Sequence, residues 1–341
     1  MINIAFLELL MSILVTGGAG YIGSHMVLML LDAGEDVIVI DDLSNGFREA
    51  VSKKAKLIIG DIGDENLVRK TILQHKVQEI IDFAGDLIVP ESIRDPLIYY
   101  RNNVSKTRLL IATAVETGIN KFIFSSSCAV YGEIKNRIAH EDDTLMPLSP
   151  YGRSKLMVEW MLEDTARAYD FSFVALRYFN VAGADPLGRI GESKLNPTVI
   201  TKIAVQAALG IRPSVIIYGN DYPTEDGTCV RDYIQVTDLC SAHLLALEYL
   251  RKGGDSNIFN CGYMKGFSVL EVINAVKRAS EKDFKVEFSN RRLGDPATVI
   301  ADNTKIRKLL KREPKYDSLD VIVKQAFLWE QHLYQLTHPA G

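Results

Sequence analysis

The chain has 341 residues, with 39 Lys and Arg against 43 Asp and Glu, so its formal net charge is −4 at pH 7. That length holds one large α/β domain and a smaller one, and the charge offers no basic surplus to a nucleic acid or an anionic membrane. Charges interrupt the longer apolar runs before they reach the length of a bilayer span.

The four cysteines, Cys128, Cys229, Cys240 and Cys261, have neither metal-like pairing nor a disulfide-framework spacing, so no metal is expected and a reducing cytoplasm is the expected home. Residues 1–10, MINIAFLELL, are apolar but lack the basic n-region and cleavage site of a signal peptide. Met11 stands directly before Ser12. The expectation is that translation starts there, and that the leader is an added segment or a small surface-packed helix.

Ile13-Leu14-Val15 reads as a buried strand and Ile22 to Leu31 as a helix, with TGGAGYIG from Thr16 to Gly23 between them. Gly17, Gly20 and Gly23 let a backbone turn sharply and approach a pyrophosphate at the positive end of that helix. A second strand, Val37 to Ile40, ends at Asp41-Asp42, where an acid can bind adenosine ribose hydroxyls and repel a 2′-phosphate. NAD is therefore expected in preference to NADP; the plain alternative for Asp41 is a solvated carboxylate at a strand end.

Lys56 to Ile59 is the third strand and ends in Gly60-Asp61-Ile62. Asp61 either accepts from an adenine amino group or caps the helix after it. Glu79 to Gly85 is a fourth strand entering small residues, Pro96 starts a long helical pattern that stops at Gly118, and Lys121 to Phe124 leads into Ser125-Ser126-Ser127.

Strands alternating with helices predict a doubly wound parallel sheet of Rossmann type, in which ligands bind beyond the carboxyl ends of the strands. The glycine turn, Asp41, Asp61, Phe83 and Ser127 all fall at those ends.

A helix opening at Pro150 carries Tyr151 and Lys155 on one face. A free tyrosine, with a pKa near 10, is a weak base at neutral pH; Lys155 and a positive nicotinamide ring together would favour the phenolate. Tyr151 would then take a proton from a substrate hydroxyl that Ser127 holds. The alternative for a lone Y-x-x-x-K is a helix-surface pair.

Phe173 to Leu176 is a sixth strand, and beyond Ala182-Gly183-Ala184 the composition changes. The expected division is 11–180 for the cofactor domain and 181–341 mainly for a smaller α/β substrate domain. In the second region helices are expected near 199–209, 236–251, 269–280 and 321–334, with a strand near 214–218 and an irregular stretch over 219–233.

TGGAGYIGSH, DDLSNG, GDI, FAG, PLIYYRNNV, FIFSSSCAVYG, SPYGRSKLMVE, LRYFNVAGA, YGNDYPTEDGTCVRDYI and RRLGD together resemble the extended short-chain dehydrogenase/reductase family, from about Ser12 onward, and within it the UDP-hexose 4-epimerases. The resemblance implies that a tightly held NAD oxidises a UDP-hexose at C4 and returns the hydride to the other face. It implies Ser127, Tyr151 and Lys155 as catalytic residues.

For the cofactor it implies Gly17, Gly20, Tyr21, Ile22, Gly23, Asp41, Asp42, Asn45, Asp61, Ile62, Phe83, Ala84, Gly85, Asn102, Ser125 and Tyr178, beside Tyr151 and Lys155. For the UDP-sugar it implies Asn180, Val199, Tyr218, Arg231, Arg292, Asp295 and Val299, with Ser127 and Tyr151. A homodimer through the helices containing Asn103 to Val115 and Leu156 to Ala168 is also implied.

Three positions depart from the family pattern: Leu87 replaces a lysine, Val199 an asparagine, and Val299 a bulky tyrosine of some members. Losing that ring would open room for a 2-acetamido group, against the plain alternative of an apolar strand residue beside Ile300. Related dehydratases carry Asp-Glu after the catalytic hydroxyl residue, whereas this chain has Cys128-Ala129, which favours epimerisation over dehydration or decarboxylation. The non-enzyme alternative, an NAD-sensing protein, would be expected to lose Tyr151 or Lys155.

Overall fold

Five consecutive buried residues, Ser12–Thr16, form the interior strand β1. Alternate side chains enter opposite cores: Ile13 and Val15 join one cluster and Leu14 the other, the pleat doing the sorting. A computed structural model describes residues 12–134, 137–194, 197–292 and 295–338. The leader 1–10, Met11, and Leu293 and Gly294 of the RRLGD segment lie outside the described residues.

In chain order β1 is followed by α1 (Tyr21–Asp32), β2 (Asp36–Asp41), β3 (Lys56–Ile59), α2 (Glu65–His75), β4 (Val77–Asp82), α3 (Val89–Arg94), α4 (Pro96–Tyr99), α5 (Lys106–Glu116), β5 (Lys121–Ser127), β6 (Ile138–Ala139), α6 (Pro150–Ala168), β7 (Ser172–Tyr178) and β8 (Asn180–Ala182). Then come α7 (Ile200–Ala208), β9 (Val215–Tyr218), β10 (Val230–Gln235), α8 (Val236–Arg251), β11 (Asn257–Cys261), β12 (Gly266–Ser268), α9 (Val269–Ser280), β13 (Val286–Ser289), β14 (Thr298–Ala301), α10 (Thr304–Leu310) and α11 (Leu319–Thr337).

Seven parallel strands in the order β11-β7-β5-β4-β1-β2-β3 make the main sheet. Met26, Val27 and Leu30 of α1 and Leu239, Ala242 and Leu247 of α8 cover one face. Val68 and Ile72 of α2, Leu110 of α5, and Val158 and Leu162 of α6 cover the other. The fold is the Rossmann-type doubly wound sheet, and the strand order reverses between β1 and β4, the point beyond whose carboxyl ends such sheets bind ligands.

The chain returns to this sheet after residue 180: β11 pairs with β7 from Asn257↔Val174 to Cys261↔Tyr178, so the outer edge of β7 is closed by a distant segment. The remaining segments form a sheet β12-β10-β14-β6 with β8 also on β10, and a pair β13-β9. Helices α7, α9 and α11 share a third core through Val205, Ile273 and Val323.

The stretch 219–233, expected to be irregular, ends inside strand β10. The charges of Arg231 and Asp232 disguise it, because both are buried, at 9% and 0% exposure. The short strands β11 to β13, three to five residues long, carry no expectation from sequence, whereas β14 contains Val299 and Ile300 as the strand alternative for Val299 has it.

Between α4 and α5 the expected single helix makes a π-helical turn over Tyr100–Ser105. Such a turn offsets the side chains beyond it and often marks a functional site. Here it holds Asn102 and Asn103. Asn103 accepts from the Asp86 N–H (2.7 Å) and donates to the Asp86 carbonyl (2.9 Å) and to Ser154 on α6 (3.1 Å).

Candidate active site

The turn after β1 is a backbone cradle. Gly17 has φ +66°, and a Cβ there would meet Ala84 N at 2.7 Å, so the ends of β1 and β4 approach as only glycine permits. Gly20 is the N-cap of α1 and offers no capping side chain, which leaves the first N–H groups of the helix facing the cleft.

At the end of β2, Asp41 is only 8% exposed. Its carboxylate accepts from Ala19 N–H (2.9 Å) and Leu43 N–H (2.8 Å), so it is fixed against the glycine turn and is not a solvated strand-end charge. Burial pushes its pKa up.

Asp61 accepts from Gly63 N–H at 2.8 Å and pairs with Lys106 at 2.6 Å. Burial acts against ionisation there, yet Lys106 and the Gly63 N–H hold the carboxyl below its ordinary range. The N-cap of α2 is Asp64, which accepts from Leu67 N–H, so the capping alternative for Asp61 falls away.

Helix α6 starts as its sequence demands, with Pro150 in the first turn and Ser149 accepting from Gly152 N–H at 3.2 Å. It delivers Tyr151 and Lys155 buried against β5, at 8% and 6% exposure. Lys155 Nζ donates to the Ser125 carbonyl (2.9 Å) and lies 4.9 Å from the Phe124 ring centroid. Burial pulls the ammonium below its ordinary pKa, against Asp82, Glu159 and Asp86. Burial pushes the Tyr151 phenol up to about 12, with a hydrogen bond from Ser127 pulling the other way.

Across the cleft, Arg231 on β10 donates to Asp295 at 2.7 Å and to the Val230 carbonyl at 2.8 Å. Its register partner is Val299 on β14, itself 5% exposed. The Arg292 guanidinium lies 4.0 Å from the Tyr218 ring centroid.

One cleft of about 630 Å³ gathers these groups. All the site residues named from sequence line it except Ser125 and Tyr218. Ser125 sits behind the wall, donating to Tyr178 Oη at 2.9 Å, and Tyr218 is under Arg292.

A family model described as the NAD dependent epimerase/dehydratase family matches residues 13–262. The chain belongs to this family. It is 48% identical to the UDP-glucose 4-epimerase of Azospirillum brasilense, over 96% of this chain and 94% of that one.

Among solved structures, the UDP-glucose 4-epimerase of Brucella ovis in complex with NAD is 40% identical and superposes with a TM-score of 0.91, covering 93% of this chain and 98% of that one. The UDP-Glc/GlcNAc 4-epimerase of Campylobacter jejuni is 46% identical with a TM-score of 0.83, covering 94% and 99%.

The residues fit the cofactor of the family's name. The Gly17 cradle that a Cβ would fill, the open N-terminus of α1 and the fixed Asp41 suit pyrophosphate and a ribose without a 2′-phosphate.

Several lining residues were not named from sequence. Lys106, which holds Asp61, and Glu192, Ser193, Lys194, Cys229 and Tyr233 all face the cleft. Lys106 gives no signal in the sequence, because folding alone brings it to Asp61. Asp86 did give one, standing directly after FAG. Its carboxylate accepts from Asn102 at 2.7 Å. Leu87 lines the cleft at 53% exposure, and Val199 is the N-cap of α7.

Proposed function

We propose that this chain is an NAD-dependent 4-epimerase of UDP-hexoses, working through a 4-keto intermediate. The observation that carries the reading is that Ser127, Tyr151 and Lys155 line one cleft together with the glycine cradle and the Arg231–Asp295 pair. NAD held by the Gly17 cradle, the N-terminus of α1 and Asp41 would supply a reversible hydride acceptor for C4.

Tyr151 takes the proton of the C4 hydroxyl and later returns it, and Ser127 holds that oxygen. The phenol alone is a poor base, and each unit by which its pKa is brought back down takes about 1.4 kcal/mol. The fixed Lys155 ammonium, joined by an oxidised nicotinamide when NAD is bound, would favour the phenolate, and the burial of Tyr151 and Lys155 strengthens that effect. Arg231 and Arg292 suit a diphosphate, and the Tyr218 ring suits a flat base.

Dehydration is disfavoured by the two residues after Ser127. Burial pushes the Cys128 thiol up to about 11, and Ala129 has nothing to ionise, so neither serves as the extra acid and base that loss of water needs. Val299 beside Arg231 supports room for a 2-acetamido group, as does the likeness to the Campylobacter enzyme.

Val299→Tyr should lower kcat/KM for UDP-GalNAc about tenfold more than for UDP-galactose; equal effects would reject the wider range. The exposed Trp160 on α6 supports a homodimer through the helices containing Asn103 to Val115 and Leu156 to Ala168, and four free cysteines support a reducing cytoplasm. Among the described residues no helix is long and apolar enough to cross a membrane.

The test is incubation of purified protein with UDP-galactose and no added NAD, followed by chromatography of the sugars. UDP-glucose is the expected product. A 4-keto-6-deoxy sugar, or NAD bound without any turnover, would reject the reading.

A further inference from the structure

The proposed reaction uses Ser127 through its hydroxyl and Ser125 through the carbonyl that anchors Lys155. Ser126 lies between them with its side chain on the opposite face of β5. It is 0% exposed, and its hydroxyl donates to Glu159 Oε1 at 2.5 Å.

Glu159 stands four residues beyond Lys155, on the same side of α6. Its carboxylate also takes Arg177, through Nε at 3.0 Å and Nη2 at 2.7 Å, with both side chains at most 3% exposed. Arg177 is the register partner of Ser126 and precedes Tyr178 on β7. Its Nη1 donates to Tyr131 Oη at 3.0 Å, and Tyr131 donates to Asn260 of β11 at 2.6 Å.

Successive turns of α6 thus engage the end of β5 at three points: Tyr151 beside Ser127, Lys155 on the Ser125 carbonyl, and Glu159 on the Ser126 hydroxyl. A buried ion pair adds little net stability over an apolar pair of the same volume, so packing alone does not account for charge here. What the pair does add is direction, since a forked arginine fixes a carboxylate in plane.

We infer that Glu159, with Ser126 and Arg177, is a positioning residue that sets α6 against β5 and β7 so that Tyr151, Lys155 and Ser127 meet one substrate oxygen. The inference rests on the epimerase reading. Glu159 is also one of three carboxylates that face the Lys155 ammonium, the others being Asp82 at the end of β4 and Asp86 just beyond it. The phenols Tyr151 and Tyr178 face the same pocket, and Arg177 lies on the far side of Glu159.

The holoenzyme variants Ser126→Ala and Glu159→Gln test it by steady-state kinetics with UDP-galactose across pH. Ser126→Ala should lower kcat about tenfold, with KM and NAD content unchanged. Glu159→Gln should do the same and also move the basic limb of the kcat profile down by about one pH unit, because Lys155 loses a facing carboxylate; Glu159→Asp should restore the limb.

Ser126→Ala keeps the charge and should leave the limb in place. It also keeps the test decisive if Glu159→Gln does not fold. Variants with wild-type kcat, or with a lowered Tm alone, would overturn the inference while wild type remains active. A wild-type protein inert toward UDP-galactose would sink the epimerase reading itself, and this inference with it.

Discussion

At the glycine-turn end of the cleft the ligand-facing groups are mostly backbone, pinned by the parallel sheet: the Gly17 turn, the N-terminus of α1, and Phe83-Ala84 past β4. Even Asp41 is held there by two main-chain N–H groups. At the end proposed for the nucleotide sugar they are side chains held by other side chains. Arg231 leans on Asp295 and Arg292 on Tyr218, from segments far apart in the chain. From this geometry the first end should tolerate little change in shape, and the second little change in charge.

The sharpest way to break this contrast is at the place where the two ends meet. Tyr151→Phe should lower kcat about 10³-fold, within the usual range for a lost general acid–base group, while bound NAD, read by its absorbance after denaturation, stays at the wild-type level. Full activity would refute the role of Tyr151.

At the sugar end, Arg231→Met should raise KM for UDP-galactose about 30-fold, from loss of a charge-assisted contact and an orphaned Asp295. NAD content should hold. An unchanged KM would remove Arg231 from the substrate site.

At the cofactor end, Gly17→Ala puts a Cβ against Ala84 at positive φ. It should cost about 1–3 kcal/mol of stability in a urea melt and strip NAD from the purified protein. Retention of both would show that the cradle is looser than its geometry implies.

An effect of pH alone concerns His243, whose ring packs 4.8 Å from that of Phe83 under the cofactor end. Burial lowers its pKa to about 4. The unfolded chain therefore binds a proton that the fold excludes, and stability is lost as pH falls from about 6.5 toward 4. At pH 5 the loss is about 2 kcal/mol, and His243→Gln should flatten the melting profile by that amount relative to pH 7.5. An unchanged pH slope would mean that another group sets it.

The same contrast explains what could be read from sequence. Strand, glycine turn, helix and strand-end acid are local signals, so Gly17, Asp41 and Ser127 were legible. Tyr151 and Lys155 were legible because helical spacing puts them on one face.

Strand β10 was hidden by its buried charges, and the closure of the main sheet by β11 was hidden by distance along the chain. Composition marks Arg231 and Arg292 as surface charges; only the family resemblance brought them to the cleft. Lys106 on Asp61 and Ser126 on Glu159 are contacts that no spacing rule anticipates, since each joins residues that only the folded sheet brings together.

The central claim is that a hydride leaves C4 of a UDP-hexose and returns to the same carbon while Tyr151 handles the proton. UDP-galactose deuterated at C4, turned over by the purified protein in ordinary water and analysed by mass spectrometry and NMR, tests it most directly. The account predicts UDP-glucose with the deuterium still on C4. Loss of the label to solvent, or its appearance at another carbon, would contradict it.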